Sequence, residues 1–489
     1  MFEPSLIEIY LDDEQATRSL AQRFAPLLVA GDTILLEGPI GSGKTHFCRS
    51  LIQTRLGRTE DVPSPTFTLV QTYEADVEIW HADLYRLTNL SETHELGLDE
   101  AFATAICLVE WPDRLGRHVP HNAIRITLSV EGEGRLALID ASNSLAVRRM
   151  LLAEARERLC SDVLRQAGWD NARREALSGD ASARRYERLY LKGETRLLMD
   201  APPHQSDQVS DFVSIGRHLC RLGLSTPRIY AEDLQNGLLL IEDFGDGGFA
   251  RLMQDDPDSE IPLYTEAIKV LAHLQSHPPA QDIPELSGAD WAQSAGLVLE
   301  WYHFAVMGKR PDGRALTALL NDQLSHLANL PLVMIHRDFH AENLMWLPER
   351  NGLQKVGLLD FQLAQMGQPG YDLVSLLQDA RRDVGAGVEK QMIEHFLALT
   401  GLEESAFLPG YACLGTLRAL RVLGIFARLC LVSGKSHYVD LIPRVWAHLQ
   451  RNLQHPALQN LRQICSDLLP PPNEANLKRI KVQCGNFQS

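Results

Sequence analysis

The stretch Gly38-Pro39-Ile40-Gly41-Ser42-Gly43-Lys44-Thr45 decides how the first third of the chain folds. It fits G-x-x-x-x-G-K-[ST], a loop whose backbone N–H groups surround a polyphosphate while its lysine meets the outer phosphates. Its flanks suit that chemistry. Thr33-Ile34-Leu35-Leu36-Glu37 is a short apolar run of the kind that forms a buried parallel strand. Phe47, Cys48, Leu51, Ile52 and Leu56 then recur at helical spacing, and Gly57 can close that helix in a left-handed cap. Strand, glycine loop and helix N-terminus thus follow in the order that aims amide groups and a helix dipole at an anion. Lys44 is also the only lysine in residues 1–150.

Working outward, 489 residues exceed one ordinary core and point to about three structural units. The formal charge is −16. Residues 1–150 hold 13 basic against 22 acidic side chains (−9), and the remainder 34 against 41 (−7). Neither part has the basic excess of an independent nucleic-acid binder, so no direct nucleic-acid contact is expected. Eight cysteines without a C-x-x-C pair suggest a reducing compartment, and no signal-like start or bilayer-length apolar run appears. The expectation is a cytoplasmic protein with no membrane contact.

Leu6–Tyr10 reads as an opening strand, and a helix capped by Asp12 or Asp13 follows with Leu20, Phe24, Leu27 and Leu28 on one face. Pro63 and Pro65 rigidify a loop that leads into Val70 and carries Thr66. That loop could sense a γ-phosphate or could simply enter a strand. Val77–Leu87 alternates and places Asp83 at a strand end. Ala105–Val109 is an apolar strand that delivers Glu110 at its tip and is broken by Pro112. A carboxylate in that position can hold magnesium or polarise a water beside a phosphate loop.

The set GPIGSGKTHF, SPTFTLVQTY, HADLYRL, ELGLDE and LVEWPDR resembles TsaE, the small ATPase of bacterial tRNA threonylcarbamoyl-adenosine synthesis. The resemblance covers residues 1–150. It implies an α/β P-loop NTPase domain that binds ATP and Mg2+ and docks on a TsaB–TsaD pair as an ATP-driven switch. Gly38, Gly41, Ser42, Gly43 and Lys44 would bind ATP phosphates, with Lys44 also catalytic. Thr45 and Glu110 would ligate the metal, Asp83 would support hydrolysis, Thr66 would lie in a switch loop, and Trp111 would lie near the nucleotide.

Residues 142–175 read as helical and polar, with Arg148, Arg149, Glu154, Arg156, Glu157 and Arg158 in a solvated stripe, and the boundary is expected near Arg156. Beyond it, His336-Arg337-Asp338-Phe339-His340-Ala341-Glu342-Asn343 matches H-R-D-x-x-x-x-N, and Asp360-Phe361-Gln362 stands where D-F-G stands in protein kinases. Phosphoryl transfer needs a carboxylate to take the acceptor's proton and two oxygen ligands for magnesium. Asn351-Gly352 suggests a two-residue hairpin that would set Asn343 directly opposite Asp360. Upstream, Ser178-Gly179-Asp180-Ala181-Ser182 reads as a short phosphate-covering loop between strands. Gly237–Gly245 reads as a strand running into a hinge that would meet adenine, and the chain after residue 261 reads as helical.

Residues 157–470 resemble the aminoglycoside-phosphotransferase and choline-kinase superfamily, an α+β bilobal, protein-kinase-like fold. SGDASARRY, LLMDAPP and GLLDFQLAQMGQPGYDLVSLLQDARRDV narrow the resemblance to AmgK-type kinases. That family phosphorylates the anomeric hydroxyl of N-acetylmuramate and N-acetylglucosamine in cell-wall recycling. The resemblance implies Asp338 as catalytic base, Asn343 and Asp360 as metal ligands, Gly179, Asp180, Ala181 and Ser182 around ATP, and Asp372 as a brace for the catalytic loop. Met199 stands where many kinases carry a third-strand lysine, which leaves Arg185 or Lys192 as the expected substitute cation. Two other readings stand beside it: a nucleotide-binding pseudokinase or interaction module, and an aminoglycoside- or choline-type kinase. Residues 471–489 read as an irregular tail.

Overall fold

Strands that are apolar on both faces need cover on both faces, and the centre of the first sheet meets that condition. The computed structural model describes residues 6–87, 96–140, 145–177, 184–203 and 209–487. In it β1 (Leu6–Leu11), β2 (Thr33–Glu37), β3 (Val70–Tyr73), β4 (Ile79–Asp83), β5 (Ile106–Glu110), β6 (Ile124–Glu131) and β7 (Gly134–Asp140) form one sheet. The strand order is β1-β7-β6-β2-β5-β4-β3. β6, β2, β5 and β4 run parallel, and the antiparallel pairings lie toward the edges.

Successive residues of β2 and β5 feed two different cores. Ile34, Leu36, Ile106 and Leu108 pack with Leu20, Phe24, Phe47 and Leu51. Leu35, Cys107 and Val109 pack on the other face with Ala82, Leu98 and Leu115. This alternation puts Glu110 on the same face as Ile106 and Leu108, the face covered by helix Lys44–Leu56.

The chain forms two compact units, Met1–Ser161 and Asp162–Ser489. Helix Leu145–Gln166 carries the chain from one to the other; the side chains of Arg148, Arg149 and Glu154 lie outside the described residues. The second unit opens on β8 (Arg173–Leu177), β9 (Arg185–Leu191), β10 (Glu194–Asp200), β11 (Ile229–Asp233) and β12 (Leu238–Glu242). They make an antiparallel sheet in the order β11-β12-β10-β9-β8, with helix Val209–Arg221 between β10 and β11. Helices dominate thereafter, the longest being Glu404–Ser433; Pro409 lies inside it, in the second turn, and offers no N–H to the carbonyl of Ser405. Among the described residues no helix is long and apolar enough to cross a membrane. The stretch expected as a tail instead carries helix Glu474–Val482, whose Ile480 is buried in the second unit's core.

Two short strand pairs, β13 (Val333–Ile335) with β16 (Gln365–Gly367) and β14 (Leu344–Trp346) with β15 (Val356–Leu358), frame the centre of this unit. Their register corrects one expectation. Leu344 pairs with Leu358, and the Leu359 N–H donates to Asn343 O at 3.0 Å, so Asn343 lies opposite Leu359 and not Asp360. A two-residue hairpin of the expected type needs positive φ at both turn residues. Asn351 is extended (φ −115°, ψ 151°) and only Gly352 is positive, at +53°, where it opens the turn Gly352–Lys355. Pro348, which has no N–H to offer the ladder, falls in the connecting segment.

Candidate nucleotide-binding sites

In the first unit the loop between β2 and helix Lys44–Leu56 runs through three left-handed glycines, Gly38 (φ +134°), Gly41 (+81°) and Gly43 (+104°). A Cβ at Gly38 would fall 2.2 Å from Leu128 O, so only glycine fits there. Lys44 Nζ donates to Gly38 O (2.8 Å) and Pro39 O (2.9 Å) and lies 4.1 Å from the Trp111 ring centroid. Burial holds its ammonium below the ordinary lysine value, while Glu110 and Asp83 pull it back up. The cation is therefore poised over the loop, held by carbonyls that a phosphate can replace as its partner.

Thr45 and Glu110 meet at the helix start, with Thr45 Oγ1 donating to Glu110 Oε2 at 3.0 Å. The other carboxylate oxygen lies 3.0 Å from His81 Nε2, with both side chains buried. Asp83 pairs in register with Glu110 across β4 and β5. Its Oδ2 accepts from Ser64 Oγ (2.6 Å) and Thr66 Oγ1 (2.8 Å), and its Oδ1 from the Tyr85 N–H (3.1 Å). Every residue expected here is thus brought to one place: Gly38, Gly41, Ser42, Gly43, Lys44, Thr45, Thr66, Asp83, Glu110 and Trp111. Sequence reasoning missed His81, Ser64 and Tyr85, whose ring lies 4.9 Å from that of Trp111. His81 was within reach, since two residues before Asp83 on a strand means the same face.

In the second unit the loop after β13 is shaped by a buried acid. Asp372 Oδ2 accepts the His336 N–H at 2.6 Å and its Oδ1 the Arg337 N–H at 2.8 Å. Burial pushes this carboxyl up to about 7, against the pull of those two N–H groups. Arg337 itself takes φ +78°. Asn343 Nδ2 donates to Asp338 O at 2.9 Å, which ties the end of the loop back to its centre and leaves the amide oxygen for another partner. Asp360 stands at φ +57° and its Oδ1 accepts from Gln362 Nε2 at 2.7 Å. Buried His336 is pulled down to about 4 by desolvation, and His340 falls well below its usual value through burial and the nearby Arg381 and Arg418. Both imidazoles are neutral framework here.

Next to Asp360 a cavity of about 310 Å³ opens between the sheet and the strand pairs, walled by Leu177, Leu197, Ile241, Phe244 and Met345. Its size and apolar walls suit a nucleobase, and the expected hinge Glu242–Gly245 lines it. Gly179, Asp180, Ala181 and Ser182 lie outside the described residues. Neither cation expected in place of a third-strand lysine reaches the cavity. Arg185 is exposed and pairs with Asp200 at 3.1 Å, and Lys192 sits at φ +52° in the β9–β10 turn. A residue on the outward face or in a turn cannot serve a site that the inward face of β9 lines.

Residues 11–137 match the family described as threonylcarbamoyl adenosine biosynthesis protein TsaE, and residues 173–408 match the phosphotransferase enzyme family. The N-acetylmuramate/N-acetylglucosamine kinase of Caulobacter vibrioides is 36% identical over 352 residues, covering 64% of this chain and 96% of that protein. TsaE of Rickettsia bellii is 39% identical over 121 residues, 24% of this chain and 84% of that protein. The chain belongs to both families. A second relative of the kinase half, from Pseudomonas putida, is 30% identical over 325 residues and covers 63% of this chain and 93% of its own length. The TsaE half is accordingly an ATPase and the phosphotransferase half an ATP-using kinase, fused in one polypeptide. The sites described above fall one in each half.

Proposed function

We propose that the TsaE half serves threonylcarbamoyl-adenosine modification of tRNA together with a TsaB–TsaD pair, and that the kinase half phosphorylates the anomeric hydroxyl of N-acetylmuramate or N-acetylglucosamine. The observation that carries the kinase reading is the loop His336–Asn343, held in shape by Asp372, together with Asp360 in the wall of a base-sized cavity. In that reading Asp338 accepts the proton of the sugar hydroxyl as its oxygen bonds to the γ-phosphorus and the β-phosphate oxygen of ADP departs. Asp372 keeps Asp338 in position through the backbone of the loop.

In the TsaE half the backbone N–H groups of Gly41–Lys44 and the Lys44 ammonium bind the phosphates, Asp83 supports hydrolysis, Thr66 links that acid to the Pro63–Val70 loop, and Trp111 packs over Lys44. Hard oxygen donors suit magnesium in both halves. Thr45 and Glu110 already converge in the first, and in the second Asp360 lies near Asn343, whose amide nitrogen is engaged elsewhere. Magnesium, when bound, supplies charge neutralisation of the phosphates. The net charge of −9 in residues 1–150 favours leaving tRNA to the partner subunits. No disulfide joins any of the eight cysteines, all of which are among the described residues, and this supports a reducing, cytoplasmic setting.

ADP release measured with a panel of sugars tests the kinase half. Turnover stimulated by N-acetylmuramate or N-acetylglucosamine and abolished by Asp338→Ala supports it; no turnover with any hydroxyl acceptor favours a nucleotide-binding module. For the first half, co-purification with a TsaB–TsaD pair should require ATP and Lys44.

A further inference from the structure

The phosphates of ATP carry several negative charges, and a kinase cleft normally meets them with a lysine on its third strand. This chain has Met199 there. It is fully buried, faces Tyr186 across β9 and β10, and accepts a hydrogen bond from the Tyr186 hydroxyl at 3.4 Å. Three acidic residues, Glu242, Asp243 and Asp360, line the cavity as well. Two described cations line the cavity, Arg184 and Arg188. Arg188 is committed to the hinge, with Nε 2.8 Å from Asp243 and a second contact to Asp246 at 3.1 Å.

Arg184 differs from it in placement. It enters at the head of β9, two residues before Tyr186, and its side chain is only 4% exposed. The guanidinium reaches 3.8 Å from Asp360 Oδ1, too long for a tight ion pair, and hydrogen-bonds the Tyr186 hydroxyl that touches Met199. Through that hydroxyl, Arg184 in the cavity wall is linked to position 199 on the third strand.

We infer that Arg184 is the phosphate-binding cation of the kinase half, delivered from the start of the second strand in place of a lysine on the third. The inference rests on the phosphotransferase reading of this half. A planar guanidinium can hold two phosphate oxygens at once, which a lysine cannot, and its charge survives burial that would neutralise an amine. Asp360, expected to hold the metal, lies 3.8 Å from the guanidinium, so the cation sits beside that residue.

The test uses the full chain carrying Lys44→Ala, so that the TsaE half contributes no nucleotide site, and titrates magnesium–ATP and adenosine by calorimetry. Arg184→Met should weaken ATP binding by about tenfold or more and leave adenosine within about twofold, since only the charge-assisted phosphate contacts are lost. Arg184→Lys should fall between, and Arg184→Met/Met199→Lys should recover ATP affinity by moving the charge to the third strand. Unchanged ATP affinity in Arg184→Met overturns the inference. So does an equal loss for ATP and adenosine, which would mark a packing role. An Arg184-dependent preference for ATP in a chain that phosphorylates no sugar would sink the sugar-kinase reading and leave this assignment standing.

Discussion

In the proposed reading the first site takes its phosphate-binding groups from one continuous loop, Gly38–Thr45, whereas the second gathers Asp338 and Asn343 from one loop and Arg184 and Asp360 from two other segments of the chain. The difference is physical. Backbone N–H groups at a helix start are fixed by local geometry, so a short stretch of glycines and one lysine suffices. A site made of side chains depends on what holds each one. In the kinase half a buried Asp372 does that for the loop His336–Asn343, and β14–β15 pairing does it for Asn343. Backbone strain gathers at both sites. Of the six non-glycine residues with positive φ among those described, Leu69 and Trp111 flank the first site and Arg337 and Asp360 belong to the second.

If the two sites are independent, crossed substitutions should separate them. Lys44→Ala is expected to remove ATP hydrolysis by the TsaE half and leave sugar phosphorylation intact. Asp338→Ala should lower sugar phosphorylation by about a thousandfold, the middle of the range for a lost general base, and leave the ATPase untouched. Assaying both activities on both variants checks this, and a variant that loses both activities breaks the comparison.

Acid should weaken the second unit through its buried imidazoles. His336 and His448 are each held down to about 4 by burial, and burial also holds His340 well below its usual value. Between pH 6.5 and 4 the unfolded chain binds protons at these positions and the folded chain does not, so stability falls as pH falls. Each shift to about 4 is worth about 3 kcal/mol. Asp372, raised to about 7, works in the opposite sense: its contribution is full below pH 4 and is lost as pH rises through 7. Three imidazoles outweigh one carboxyl, and the urea midpoint should drop between pH 6.5 and 4.5.

Smaller effects sharpen the account of how the kinase loop is held. Asp372→Asn keeps the shape but can accept with only one oxygen, so one buried N–H loses its partner, at a cost of about 1–3 kcal/mol in unfolding free energy. Sugar kinase activity should fall with it while the ATPase is unaffected. Gly352→Ala places a Cβ at φ +53° in open space, and should cost about 1 kcal/mol, read as a lower melting temperature, with activity retained.

Legibility in the sequence followed the same division. The β2–loop–helix unit and the strand ends carrying Asp83 and Glu110 could be read directly, because periodicity and glycine placement are local. The loop His336–Asn343 could be read as a motif, and Asp372 lies where the resemblance put it. The β14–β15 register could not, since it turned on whether Asn351 adopts positive φ and whether Pro348 breaks the ladder. Nor could Arg184, which sits among Arg184-Arg185 and Arg188 with nothing in the sequence to say which arginine faces inward. Only the β9–β10 pairing separates exposed Arg185, bound to Asp200, from buried Arg184.

The central claim is that one polypeptide carries two separate ATP pockets, and the stoichiometry of magnesium–ATP binding to the full chain measures it most directly. Calorimetry should give two equivalents per chain for the unaltered protein and one for Lys44→Ala, with the remaining site still able to support sugar phosphorylation. A single equivalent in the unaltered protein, or loss of all binding in Lys44→Ala, would contradict it.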